Sequence, residues 1–149
     1  MRIILIAIII LAFAGAIDSG YALQQHYAPP DVSACDYNAT VSCTAVNQSE
    51  YSEVLGVPVA GVGMAGYLLM ALLAGVGLVQ RHRTQMMFML LAVVSLGGFL
   101  VAVSLTYIEL FVLEAVCPLC VISQALIAAI MVLSWIGALR SRIKRTDTA

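Results

Sequence analysis

The residues best able to do chemistry are four cysteines arranged as two pairs, Cys35 with Cys43 and Cys117 with Cys120. A thiolate attacks a disulfide and takes over its bond, so neighbouring cysteine pairs can hand electrons along by exchange. Cys117-Pro118-Leu119-Cys120 is a CxxC placed where an apolar helix begins. At a helix N-terminus the unpaired backbone N–H groups and the helix dipole favour a thiolate, and this spacing puts both sulfurs on one face. Pro118 has the backbone angle of a first turn and lacks a donor that would go unused there. Seven residues, Asp36 to Ser42, separate the other pair, and they are mostly small or polar with no evident element of their own. Such a segment can swing, presenting its disulfide outward and then offering a sulfur to the CxxC. Two plainer readings stand beside this one: a tetrahedral zinc site built from four thiolates, and two static disulfides that staple loops. Zinc sites favour reduced compartments and matched spacings, and a helical bundle has little need of a staple at its rim.

The elements that must position these sulfurs are membrane helices. Of the 149 residues 62% are hydrophobic and only 10% charged, against about 25% charged in an ordinary soluble domain. Apolar runs cover residues 3–17, 57–79, 86–108 and 116–139, and a bilayer span needs roughly 20 such residues. Runs this long and uniform are helices rather than alternating barrel strands, because a lipid-exposed backbone must satisfy its own hydrogen bonds. The fold class expected is therefore an all-α integral membrane protein, a four-transmembrane-helix bundle forming one domain over residues 1–149. Its spans are predicted at residues 3–23, 57–79, 85–107 and 117–139. A cleaved signal peptide ending near Ala12-Phe13-Ala14 is the alternative for the first run, but apolar character resumes at Tyr21, Ala22 and Leu23.

Charge sets the orientation. All seven basic residues, Arg2, Arg81, Arg83, Arg140, Arg142, Lys144 and Arg145, fall on one side of this topology. The positive-inside rule assigns that side to the cytoplasm, as expected for a prokaryotic inner membrane, with both termini inside. The opposite side holds Asp31, Asp36, Glu50, Glu53, Glu109 and Glu114, with Asp18 near the outer end of the first span, and all four cysteines. That side is the oxidising one, where disulfides persist. The basic clusters are short and flank spans, so they give no indication of nucleic acid.

The outer loop, residues 24–56, opens near Pro29-Pro30 and ends in Ser49 to Leu55, where Tyr51, Val54 and Leu55 share a helical face; a short amphipathic helix on the membrane surface suits that pattern. Pro58 is expected in the first turn of the second span. His26 reads as a solvated loop histidine, and the tyrosines near the outer helix ends read as an aromatic belt. Asn38-Ala39-Thr40 and Asn47-Gln48-Ser49 match glycosylation acceptors, motifs that arise often by chance.

Taken together, Cys35-x7-Cys43, then Ser49, Tyr51-Ser52, Gly56-Val57-Pro58, Gly63 and Tyr67, with a CxxC at the fourth helix and Asp18-Ser19 and Tyr21 in the first, resemble the vitamin K epoxide reductase family, especially its bacterial and archaeal members. The resemblance implies a thiol oxidoreductase that supports disulfide-bond formation, using a membrane quinone of the ubiquinone or menaquinone type. It implies that Cys120 faces the quinone, that Cys117 exchanges with Cys43, and that Cys35 completes the shuttle pair. Ser49 matches the family's loop Ser/Thr. The animal members' Asn and Tyr near the quinone fall here at Val59 and Gln124, so Cys120, Ser49, Val59 and Gln124 are the quinone contacts expected, no metal is expected, and epoxide reduction is not carried over. Many bacterial members fuse a thioredoxin-like domain; this sequence stops at Ala149, so a separate thioredoxin-fold, DsbA-like partner is expected. In the DsbB family the two pairs occur in the opposite order. The rival from another class is a nonenzymatic four-helix membrane protein with structural disulfides. Transporters place ionisable groups within their spans, and few occur here.

Overall fold

A computed structural model describes residues 1–29, 35–38 and 40–146. Pro30, Asp31 and Ala39, which figured in the loop, charge and glycosylation readings, lie outside the described residues. Four long helices dominate: α1 (Arg2–Tyr27), α3 (Val59–Val79), α4 (Thr84–Phe111) and α5 (Pro118–Thr146). Each is long and apolar enough to cross a membrane. Even α3, with 21 residues, reaches about 31 Å at a rise of about 1.5 Å per residue. Between α1 and α3 lies the outer loop with a short helix, α2 (Cys43–Asn47), and a two-residue hairpin of β1 (Glu53–Val54) and β2 (Val57–Pro58). Among the described residues the bundle is thus all-α, and strand pairing is confined to the loop side.

The long helices form a closed ring in which α1 packs on α3, α3 on α4, α4 on α5 and α5 back on α1. Their inward stripes recur at helical spacing. On α1 the buried stripe is Leu5, Ile8, Ala12, Ala16 and Ser19, and it meets Tyr67, Met70 and Ala74 of α3 and Ile127 and Ile130 of α5 in one core. Large apolar residues such as Ile3, Ile17, Val79 and Phe111 point outward, which in water would be an aggregating surface and in a bilayer is the lipid-facing one. Small residues set the closest approaches: a Cβ on Gly137 of α5 would lie 2.2 Å from Cε1 of Phe88 on α4, and Phe88 is fully buried. The connection between α3 and α4 is a tight 3-10 turn at Arg81–Arg83. The N-terminus of α1, this turn and the C-terminus of α5 share one end of the bundle, and the cysteines occupy the other.

Two local features differ from the sequence reading. The outer loop does hold a short helix, but at Cys43–Asn47; Ser49 to Leu55 makes a 3-10 turn (Glu50–Ser52) and then β1. Val54 pairs with Val57 and Glu53 with Pro58 across a two-residue turn in which Leu55 (φ 55°) and Gly56 (φ 77°) are both left-handed, the geometry of a tight hairpin turn. Because Val57 and Pro58 belong to the hairpin, Pro58 is the N-cap of α3 rather than part of its first turn.

Candidate functional site

The loop cysteines are joined as a disulfide with Cα atoms 5.7 Å apart, which leaves two thiols and not the four thiolates of a cysteine zinc site. The segment between them is more constrained than a free swinging loop. The Asp36 carboxylate accepts from the Ser42 hydroxyl (2.8 Å), the Thr44 hydroxyl (2.6 Å) and the Thr44 N–H (3.1 Å). Ser42 in turn caps α2 by accepting from the Ala45 N–H at 3.1 Å. Asn38 Oδ1 accepts from the N–H groups of Thr40 and Val41 at 2.9 and 2.8 Å, closing the turn.

Those bonds, the Thr44 hydroxyl first among them, hold the Asp36 carboxyl down at about 2. Its folded value lies below the ordinary carboxylate value of about 3.9, so its contribution is complete above that value and is lost as pH falls through about 2. Asp36→Asn is therefore expected to loosen the start of α2 at neutral pH. Reduction of the Cys35–Cys43 disulfide by a small thiol should accelerate roughly threefold, the scale of an exposed cap. The variant should also lack the loosening expected of the parent protein between pH 4 and 2, where a phosphine reductant that stays active in acid replaces the thiol; stopped-flow kinetics check both.

A short backbone clamp joins this loop to the CxxC. Val41 pairs in parallel with Val116, with Val116 N–H donating to Thr40 O (2.8 Å) and Ser42 N–H to Val116 O (3.3 Å). Cys117 directly follows Val116, and Cys43 lies two residues beyond Val41; both are fully buried and pack in one cluster with Cys35, Val46 and Ala115. Asn47, one turn beyond Cys43 on α2, reaches both centres. Its Nδ2 donates to Cys43 O at 3.0 Å and lies 3.7 Å from Cys117 Sγ. Sequence reasoning met Asn47 only in a glycosylation motif; it is buried, and the signal that could have found it is its i+4 spacing from Cys43.

The CxxC sits where α5 begins. Cys117 immediately precedes Pro118, and its carbonyl accepts the Val121 N–H at 3.2 Å. Its thiol is pulled below the ordinary value chiefly by the hydrogen bond that the Cys120 thiol donates to it, with backbone N–H groups of Cys120 and Leu119 adding to the effect and burial opposing it. Glu109, read from sequence only as an outer-face acid, lies in the last turn of α4 and is buried. Its Oε2 accepts from the Cys117 N–H at 3.3 Å, and its carboxyl also accepts from the Cys120 thiol.

Cys120, unlike Cys117, opens onto a cavity of about 400 Å³ lined by all four long helices and by the loop that carries α2. Its wall is mostly apolar, with Asp18, Ser49, Tyr67 and Glu109 among the polar groups, the composition of a pocket for an apolar molecule with a few polar atoms. Tyr67 lies flat against Gly15, where a Cβ would stand 2.4 Å from the ring, and its hydroxyl donates to Ser123 O at 2.7 Å. Of the four residues expected to meet a quinone, Cys120, Ser49 and Val59 line the cavity. Gln124 is not among the lining residues; its side chain is engaged by the Thr106 hydroxyl of α4.

His26 differs from its sequence reading. It belongs to the last turn of α1, is 12% exposed, and faces Glu53 (Nε2 to Oε1, 3.1 Å), Ser52 (3.3 Å) and the Asn47 carbonyl. Together with Gln48, whose Nε2 donates to the carbonyls of Gln25 and Ala28, it ties the end of α1 to the loop that carries Cys43.

Residues 6–135 match the Vitamin K epoxide reductase family. A direct comparison with curated proteins found no match. With a match over most of its 149 residues, four membrane-crossing helices and paired cysteines gathered at one end, the chain belongs to the vitamin K epoxide reductase family and is a multi-pass membrane oxidoreductase of the thiol type.

Proposed function

We propose that the protein is a quinone-dependent dithiol oxidase that supports disulfide formation in a partner. The observation that carries this reading is the division of labour within the CxxC: Cys117 packs against Cys43 of the loop disulfide, while Cys120 lines the cavity. The pair therefore bridges a site for thiol exchange and a site for an apolar acceptor.

The proposed sequence conserves electrons at each step. A thioredoxin-fold, DsbA-like partner gives up a dithiol and becomes a disulfide, reducing Cys35–Cys43 to two thiols. Cys43 attacks the Cys117 sulfur of an oxidised CxxC, and Cys120 leaves as a thiolate. Cys35 then attacks Cys43, re-forming the loop disulfide and freeing Cys117. Last, the CxxC dithiol closes to a disulfide, and its two electrons, with two protons, convert a quinone of the ubiquinone or menaquinone type to a quinol. The loop disulfide together with two free CxxC thiols corresponds to the stage just before that last step.

Residues of this chain contribute binding and orientation. The apolar wall takes the quinone ring, and Gly66 and Gly97, where a side chain would meet nothing within 4 Å, leave room along α3 and α4 for a tail. With the basic end cytoplasmic, the cysteines face the outer side of a prokaryotic inner membrane. The test follows quinone absorbance while reduced thioredoxin-fold protein is supplied. Turnover is expected, is lost in Cys35→Ser/Cys43→Ser, and persists in that variant when a small dithiol reduces the CxxC directly. An unchanged quinone spectrum in the parent protein with either donor overturns the reading.

A further inference from the structure

We propose that Glu109 is a catalytic acid–base, the group that takes the proton from the Cys120 thiol and delivers it to the acceptor in the cavity. The inference rests on the quinone reading above and goes beyond it by assigning a proton route.

Four observations converge on this carboxyl. Glu109 is 3% exposed, and among the described residues the donors to its carboxyl come from the CxxC alone: the Cys117 N–H and the Cys120 thiol. Every basic residue lies at the opposite end of the helices in sequence, and among the described residues the one ion pair is His26–Glu53, so no cation neutralises it. A buried carboxyl without a counter-ion is costly to retain for stability alone. Glu109 also lines the cavity alongside Cys120, so it touches the proton's source and faces its destination. Finally, the Cys120 thiol has one proton and two acceptors for it, the Cys117 sulfur and the Glu109 carboxyl.

The second acceptor resolves a chemical conflict. For the CxxC to close, the Cys120 sulfur must lose its proton, and a proton left on Cys117 would block the bond that has to form between the two sulfurs. Transfer to Glu109 clears both sulfurs at once. The S–S bond forms between Cys117 and Cys120, two electrons pass to the quinone, and Glu109 gives the Cys120 proton to the nearer quinone oxygen. The second proton, released by Cys117 to the outer aqueous face when it ionises, is matched by one taken up from that face by the far oxygen. Among the described residues the other titratable groups around this path are Asp18 and His26 from α1, Tyr51 from the loop and Tyr67 from α3, which line the same cavity, and Cys117 and Cys120 at the start of α5.

A merely structural Glu109 would serve as a cap for the Cys117 N–H, and glutamine would serve equally, because its carbonyl accepts the same bond. The test therefore compares Glu109→Gln with Glu109→Asp. In single turnover, Glu109→Gln is expected to slow quinone reduction by about 10²-fold, the scale of one acid–base group, while exchange between Cys43 and Cys117 stays within about twofold of the parent. Glu109→Asp, which restores an acid, is expected to recover part of the rate with an altered pH profile. In quinone-free protein, the reduced-minus-oxidised infrared difference spectrum should contain a carboxyl C=O band that Glu109→Gln removes. Quinone reduction at the parent rate in Glu109→Gln, equal slowing of both half-reactions, or a difference spectrum without that band would each overturn the proposal. If the parent protein exchanges disulfides but reduces no quinone, the quinone reading has failed, and the infrared band still decides whether Glu109 takes the Cys120 proton.

Discussion

Cys120→Ser is expected to stop quinone reduction, by a factor of order 10³ or more, and to hold a Cys43–Cys117 disulfide in exchange with the Cys35–Cys43 bond. The ionisable Cys117 thiol lies in the same buried cluster as the loop disulfide, so it can attack Cys43 and expel Cys35 as a thiolate. In the parent protein that bond is open from both sides, to Cys35 attacking Cys43 in the forward direction and to Cys120 attacking Cys117 in reverse. A serine hydroxyl can neither attack a disulfide nor form one, so in the variant the Cys43–Cys117 bond exchanges with Cys35 alone, and no sulfur at the cavity wall can yield electrons. Peptide mapping under non-reducing conditions identifies the species. Recovery of only the Cys35–Cys43 bond, with quinone turnover intact, would contradict the proposed order of sulfurs.

The largest expected loss of stability comes from Gly137→Val. Its Cβ would stand 2.2 Å from Cε1 and 2.4 Å from Cδ1 of Phe88, a ring with no exposed edge to swing into. The helices α4 and α5 would have to separate, at a cost of at least about 1–3 kcal/mol. Since α5 carries Cys120 and begins directly after Cys117, the Cys43–Cys117 exchange should slow as well. Gly75→Ala is the control: a side chain there meets nothing within 4 Å, and the gain in helix propensity should raise stability by about 0.5–1 kcal/mol. Thermal unfolding in detergent measures both. Recovery of Gly137→Val by Phe88→Ala would locate the clash at that ring.

What is legible in the sequence is what depends on neighbours along the chain. The four spans follow from unbroken apolar runs, and the CxxC declares itself because Cys117, Pro118 and Cys120 sit at the start of such a run. What is not legible depends on contacts across the chain. Nothing local marks Val41 as the partner of Val116, although that bridge sets Cys43 beside Cys117. Glu109 sits at the edge of an apolar run and reads as a surface acid until α4 is seen to extend to Phe111 and bury it. Ser49 to Leu55 satisfies a helical spacing of Tyr51, Val54 and Leu55, yet Leu55-Gly56 between Val54 and Val57-Pro58 is equally a hairpin turn, and strand pairing prevails. Gln124, one turn beyond Cys120, has the spacing of a cavity residue, but Thr106 on α4 engages its side chain.

The most direct measurement adds one equivalent of quinone, without oxygen, to protein carrying the loop disulfide and a reduced CxxC, and records quinone absorbance and free thiols together. One quinol formed for each Cys117–Cys120 disulfide that appears, with Cys35–Cys43 unchanged, is the predicted result. Two thiols still free after prolonged incubation, beside an unaltered quinone spectrum, would contradict the account.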